Sequence, residues 1–409
     1  MAIKSQPQDF IVDEVLDPAY LAKIEQKPGP FVVYHLTKES LTTPEAVFYF
    51  SKALGMPASK VLAAGLKDKH AQTTQHVTVE AGRNADKFPK MMEGQSWKAK
   101  RVGFVHAPIN SQAIQANRFK VTIRGMTRKD NENLDLAAHA LMAEPQDLAS
   151  GKGRLLVVNY YGNQRFGGAR AGEGFLAPLM IKGQFEAALK IILASPHRKD
   201  MRQLKNFKQT CKDEWGKWQA MLPKLPKMSL RAPIEKLARS GGKTPHDFRE
   251  AFAALPYFEQ QMAVEAWQSL LWNRTACKLI EAHGPVARVL DDTFCRIAFP
   301  VPSTVHAKWR SLMLPVLGKN SELHEPWKAA AEAVLAEEGI TTAELKIPGL
   351  DRPWFAEVER QLFIEATNFH AANPQQDETQ EASVRFKRTL SFTLPRGCYA
   401  TVLLRAVGH

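Results

Sequence analysis

The sequence predicts a mixed α/β protein: an α+β domain built on a mixed or antiparallel central sheet, interrupted by a second, inserted α+β domain. Three observations predict it. In the first half, segments of period-two alternation at QDFIVDEVL (8–16), FVVYHL (31–36), HVTVEA (76–81) and RFKVTIRG (118–125) are interleaved with helical periods. The character then changes, and residues 196–246 are basic and broken by prolines. Finally, two β-like runs close the chain, VRFKRTLSFTL (384–394) and YATVLLRAV (399–407), around Pro395-Arg396-Gly397. A terminal strand pair is not stable alone, so it is expected to return to the sheet begun by the N-terminal strands. The first domain is then discontinuous, residues 1–185 plus 375–409, with 186–374 inserted.

The remaining elements follow in order. TPEAVFYFSKALG (43–55) reads as a helix with Thr43 as N-cap, Pro44 at the first helical position and Gly55 at the end. NENLDLAAHALMA (131–143) is helical in period. GRLLVVNYYGNQRFGG (153–168) is a strand running into a glycine-rich loop, and FEAALKIILA (185–194) is a short helix. QMAVEAWQSLLWNRTACKLIEAHG (261–284) has a strong helical period ending at glycine. ARVLDDTFCRIAFPVPS (287–303) reads as short strands. PWKAAAEAVLAEEG (326–339) is a helix opened by proline and closed by glycine. HAANPQQDETQEAS (370–383) is polar and reads as a linker.

The chain has 409 residues, 44% of them hydrophobic, with a net charge of +13 and a pI near 9.5. Such charge suits a polyanionic partner through counterion release, although a basic pI also serves solubility alone. Between Arg198 and Lys243 stand 13 Lys+Arg against four acids, with Phe207, Trp215 and Trp218 among them. Lys199, Arg202, Lys205 and Lys208 are its candidate contacts to such a polyanion. Cations interleaved with aromatics suit a backbone grip with base stacking; a solvated helical hairpin with core tryptophans has the same composition. The polar start MAIKSQPQDF is not a signal peptide, and the aliphatic runs are too short to span a membrane. The four cysteines show no CxxC or zinc spacing, which predicts a reduced, cytosolic protein. There is no Walker loop, GxGxxG or GxSxG.

Two stretches carry chemistry. In AGLKDKHAQTTQ (64–75), Asp68 stands between Lys67 and Lys69 on a connection leading into a strand. Neighbouring cations favour an ionised carboxylate, which suits a nucleophile or base; a charged surface turn reads the same way. His70 and His76 lack metal-ligand spacing, so no metal is expected. In NYYGNQRFG (159–167), rings, amides and an arginine cluster around glycines, a set able to hold a base by face and edge; a glycine-rich turn over core aromatics is the alternative.

GLKDKHAQTTQ resembles the G-x-K-D-K-x-A-x-T-x-Q signature of the TruD family of pseudouridine synthases. NYYGNQRFG resembles its NYFGxQRFG, and LPRGCYATVLLRAV its closing LPxGSYATxxLREL. DFIVDE with Lys4 ahead of it, Thr37-Lys38 to Thr43, Asn117-Arg118-Phe119 and QSLLWN (268–273) match lesser motifs in the same order. The resemblance is weakest over about 285–370. It implies isomerisation of a uridine in RNA to pseudouridine, most directly at position 13 of tRNA, with no cofactor, by a cytoplasmic monomer. It makes Asp68 the catalytic aspartate, supported by Lys4, Lys67 and Asn159. Tyr161 would stack on the base, Gln75, Asn117 and Phe119 would shape the pocket, and the basic insertion would bind the RNA backbone. Cys398 in place of serine, Arg405-Ala406 in place of Arg-Glu, and Gln72 at a position often held by valine depart from the pattern.

Overall fold

The computed structural model describes residues 1–144, 153–167, 169, 174–197, 200–379 and 385–409. The chain divides into two compact units, residues 1–157 with 301–306 and 363–409, and residues 158–300 with 307–362. The division falls at Val157/Val158 rather than near residue 185. The segment after it is held by the second unit's own residues: the Tyr160 hydroxyl donates to the Ala298 carbonyl at 2.8 Å.

The strands in chain order are β1 (Phe10–Leu16), β2 (Phe31–Glu39), β3 (Val61–Ala63), β4 (Gln72–Glu80), β5 (Met91–Gly94), β6 (Trp97–Val105), β7 (Ile114–Met126) and β8 (Gly153–Val158). There follow β9 (Val286–Asp291), β10 (Arg296–Pro300), β11 (Met313–Val316), β12 (Val358–Gln361), β13 (Phe363–Ala371), β14 (Gln375–Gln376) and β15 (Phe386–Pro395). An 11-stranded mixed sheet runs β5-β6-β2-β4-β1-β7-β15-β13-β8, with β3 beside β4 and β14 beside β15. Burial alternates along β1 and β15, the period-two signature of a strand with one packed face. β1 pairs parallel to β4 and antiparallel to β7, and β15 pairs antiparallel to β7 across Leu390↔Val121. The late run 386–395 thus joins the N-terminal sheet.

Residues 399–407 correct the sequence expectation. Ala400–Ala406 is a helix, not a strand. Ala400, Leu403, Leu404 and Val407 are buried, spaced 3, 4 and 7 apart on one helical face. Gly397, at φ +77°, makes the turn that separates it from β15.

Of the expected linker 370–383, residues 380–383 lie outside the described residues, and 370–379 do more than link. Asp377 is buried and accepts the Gly125 N–H at 2.8 Å and an Arg124 N–H at 3.1 Å, while Arg124 Nε lies 2.9 Å from Asp9 Oδ1. The guanidinium also donates to Glu378 Oε1 at 3.1 Å, so it meets three carboxylates and ties the N-terminal turn, β7 and the approach to β15. Removing one partner of such a network costs about 3–5 kcal/mol.

The second unit is dominated by the 27-residue helix Tyr257–His283, with two strand pairs, β9–β10 and β11–β12. Its basic segment includes the helices Arg202–Asp213 and Ala232–Ser240. Phe207 and Trp218 are buried there, and Trp215 meets Trp218 edge-on while donating to Glu186. Phe207 and Trp218 are thus core material, while Trp215 is half-buried. Among the described residues, no helix is long and apolar enough to cross a membrane.

Candidate active site

Because β1 runs parallel to β4, with Ile11 opposite Gln72, the segments entering both strands emerge at one end of the sheet. Lys4 lies just ahead of β1 and Asp68 just ahead of β4, and the Lys4 ammonium pairs there with Asp68 Oδ2. Asp68 Oδ1 accepts the His70 N–H at 3.0 Å, an Asx-type turn. The Asp68 carbonyl accepts from Lys38 Nζ at 2.7 Å, and the same ammonium donates to the Leu41 carbonyl at 2.7 Å. Both carboxylate oxygens and the peptide are therefore held, yet the Asp68 side chain keeps 20% exposure. Lys4 Nζ also sits 4.4 Å from the Phe10 ring, whose edge meets Phe119, and Phe119 stacks on Phe392 at 5.2 Å.

The loop is pinned from below. Helix Thr43–Ala53 is capped by Thr42, whose side chain accepts the Glu45 N–H, not by Thr43 as its sequence suggested. The register leaves Thr43 free to face the loop: its hydroxyl accepts the Lys67 N–H at 2.9 Å and donates to Gln75 Oε1 at 2.9 Å. Gln75 is fully buried. Lys67 Nζ reaches Asn117 Oδ1 at 2.8 Å and lies 2.9 Å from Glu14 Oε2, an ion pair by distance that lacks hydrogen-bond alignment. Glu14 Oε1 accepts the His76 N–H at 2.8 Å, and His76 Nε2 lies 2.6 Å from His35 Nε2. Burial alone would raise the Glu14 pKa, but the His76 hydrogen bond and the Lys67 charge outweigh it and hold the carboxyl below its usual range. Burial pushes Lys38 down to about 8 against the opposing pull of Asp68.

The second unit organises Tyr161. The Asn273 side chain brackets its peptide, accepting the Tyr161 N–H at 2.8 Å and donating to its carbonyl at 2.9 Å. The Arg360 guanidinium lies 4.1 Å from the Tyr161 ring centroid, and the Trp272 ring meets it edge-on. Arg360 also donates to the Asn159 carbonyl at 2.8 Å and to its Oδ1 at 2.6 Å. Asn159 in turn donates through Nδ2 to the Gln361 carbonyl at 3.1 Å. An aromatic face with a guanidinium against it is a stacking element. Among the described residues, no group of three or more His, Cys, Asp or Glu is placed to hold a metal ion.

A family profile described as TruD, tRNA pseudouridine synthase D, matches residues 1–407. The chain belongs to the TruD family. It is 26% identical to a Methanococcus maripaludis protein named probable tRNA pseudouridine synthase D 1, covering 100% of this chain and 99% of the relative. It is 28% identical to the tRNA pseudouridine synthase D of Aquifex aeolicus, covering 98% and 97%. The crystal structure of the putative tRNA pseudouridine synthase D of Methanosarcina mazei shares the fold, with TM-score 0.70 at 23% identity over 99% of this chain and 93% of that one.

Set against the TruD motifs, the first unit gathers Lys4, Lys67, Asp68, Gln75 and Asn117 into one bonded cluster, with Phe119 reached through Phe10. Asn159 and Tyr161 lie in the second unit and share Arg360. Of the expected RNA contacts, Arg202 and Lys205 are exposed, and Lys199 lies outside the described residues. Lys208 is 2% exposed and bonds Asp200 at 3.0 Å, so its ammonium is spent inside the fold. The motif reading gave no role to Lys38, Thr43 or Asn273, although each stands within a matched segment. Arg360 carried no signal, being about 200 residues from the Tyr161 it holds.

Proposed function

We infer that the protein converts a uridine of tRNA into pseudouridine, with Asp68 as the catalytic carboxylate. The N1–C1′ bond breaks, the uracil turns, and a C5–C1′ bond forms. N1 gains a proton as C5 loses one, so the change is a redox-neutral isomerisation. The observation that carries this reading is the setting of Asp68: a partly exposed carboxylate fixed by Lys4, by the His70 N–H and, through its own carbonyl, by Lys38. Attack at C1′ and proton abstraction from the ribose both require a carboxylate that is ionised and oriented, and a fixed cation favours that state. Lys67 and Asn117 line the loop beside it.

The target base must leave its stack at a cost of a few kcal/mol. Tyr161 recovers roughly 1–3 kcal/mol by stacking, on a ring kept in place by Asn273 and Arg360. The first unit is the catalytic domain, and exposed cations of the second, Arg202 and Lys205 among them, grip the RNA backbone. The protein acts as a monomer in the cytoplasm, where tRNA matures.

The test compares wild type with Asp68→Asn on bulk tRNA from cells lacking the activity, mapping pseudouridine by carbodiimide-dependent primer-extension stops and measuring binding on the same samples. The reading requires a defined stop with wild type, and equal binding without turnover for Asp68→Asn. Turnover by Asp68→Asn, or tRNA bound but never modified by wild type, would refute it.

A further inference from the structure

The start of the helix Tyr257–His283 carries a surface that the reaction leaves unused. Tyr257, Phe258 and Trp354 are 44%, 67% and 47% exposed, and Trp354 is the most open of the eight tryptophans. The Tyr257 and Trp354 rings lie 6.0 Å apart, and the Arg352 guanidinium is 5.7 Å from each centroid. The main chain of Trp354 is fixed here. Gln261 donates to its carbonyl at 3.2 Å and accepts its N–H at 3.4 Å. Beside it lies a cavity of about 600 Å³ lined by Trp354, Phe355, Lys319, Asn320, Lys346 and Asp351. A solvent-facing indole loses apolar burial, so its presentation points to a ligand that covers it.

We propose that this surface is a second RNA subsite, in which an unpaired base stacks on Trp354 while Arg352 and the cavity lysines meet phosphates. The proposal rests on the reading that the substrate is RNA. Rigid aromatics beside a guanidinium are the sequence-tolerant way to hold single-stranded RNA. Lys319, Lys346 and Arg352 are all exposed, whereas Glu357 is engaged by the Asn320 N–H at 2.8 Å. Tyr257 and Asn273 share one helix, 16 residues apart, which is about 24 Å at the helical rise. An RNA that reaches both Tyr161 and Trp354 therefore extends well past its target nucleotide.

The experiment uses the full chain with an unmodified tRNA transcript and a short stem–loop holding the target uridine. Trp354→Leu keeps an apolar side chain but removes the stacking face. It is expected to raise KM and Kd for tRNA roughly tenfold, the effect of losing one stacked base, with kcat at saturation and the salt slope held. Trp354→Phe restores most of the affinity. Arg352→Gln lowers the salt slope by about one. The Trp354→Leu penalty shrinks on the stem–loop, which is too short to reach. Matching thermal midpoints establish that the variants fold. If Trp354→Leu matches wild type on tRNA while wild type is fully active, the subsite is overturned and the function stands. A Trp354-dependent protein complex with unchanged RNA affinity also overturns it. If wild type neither binds nor modifies tRNA, both readings fall.

Discussion

Lys38 holds Asp68 by its backbone: the buried ammonium bonds the Asp68 carbonyl and the Leu41 carbonyl at 2.7 Å each. Lys38→Met leaves two part-buried carbonyls without this donor, so it should destabilise the fold by about 1–2 kcal/mol and lower kcat at least tenfold as the loop loosens. The pH dependence carries a signature. Burial puts the folded pKa near 8, below the model-peptide value of 10.5, so between those values the unfolded chain binds more protons. Stability from this group therefore rises with pH across that window, by at most about 1.4 kcal/mol per pH unit. Lys38→Met should abolish that rise in chemical denaturation between pH 8 and 10; a persisting rise would sink the assignment.

Thr42 and Thr43 are neighbours with different duties. Thr42 caps the helix, so Thr42→Ala should cost about 1 kcal/mol and leave kcat near wild type. Thr43 joins the Lys67 N–H to Gln75. Thr43→Val keeps the shape and loses both bonds, so turnover should fall roughly tenfold while stability falls by about 1–2 kcal/mol. Steady-state kinetics on tRNA alongside urea melts would separate them; identical profiles for the two variants would contradict the geometry.

Asp377 anchors Arg124 and Gly125. Burial would raise its pKa, but its hydrogen bonds to Thr379, Gly125 and Arg124 prevail and hold it below the usual 3.8. Its contribution is thus present above about pH 4 and is lost as pH falls through the lowered folded value. Asp377→Asn should destabilise the protein by about 3–5 kcal/mol at neutral pH and flatten the acid limb of the stability profile. Thermal melts from pH 3 to 7 measure it.

Three cations in one basic segment should behave in two ways. Arg202→Gln with Lys205→Gln should weaken tRNA binding and reduce the salt slope by about two. Lys208→Met should leave that slope intact and lower stability instead, because its partner Asp200 is only 13% exposed and would lose its ammonium there. Filter binding from 50 to 200 mM salt decides it; an equal loss of slope in Lys208→Met would place that lysine on the RNA.

Local chemistry was legible without coordinates wherever one short segment carried it. The period-two runs became β1, β2, β4 and β7, and the GLKDKHA loop placed Asp68 ahead of a strand. Lys4 was expected beside Asp68 from motif resemblance, not from spacing. The Thr43 cap and the 399–407 strand failed for a shared reason. TTPE offers two adjacent caps, and YATVLLRAV is apolar enough to fit either period, so packing made both choices.

By itself, then, the sequence determined the family and six of the eleven strands of the sheet, because these depend on residues close along the chain or on motifs kept in order. Only the tertiary structure decided which cations face solvent and which are consumed inside, as Lys38 and Lys208 are. It alone brought Arg360 to Tyr161 and Asp377 to Arg124. Burial and long-range pairing are set when distant segments exclude water together, and no local pattern records which distant residue will arrive.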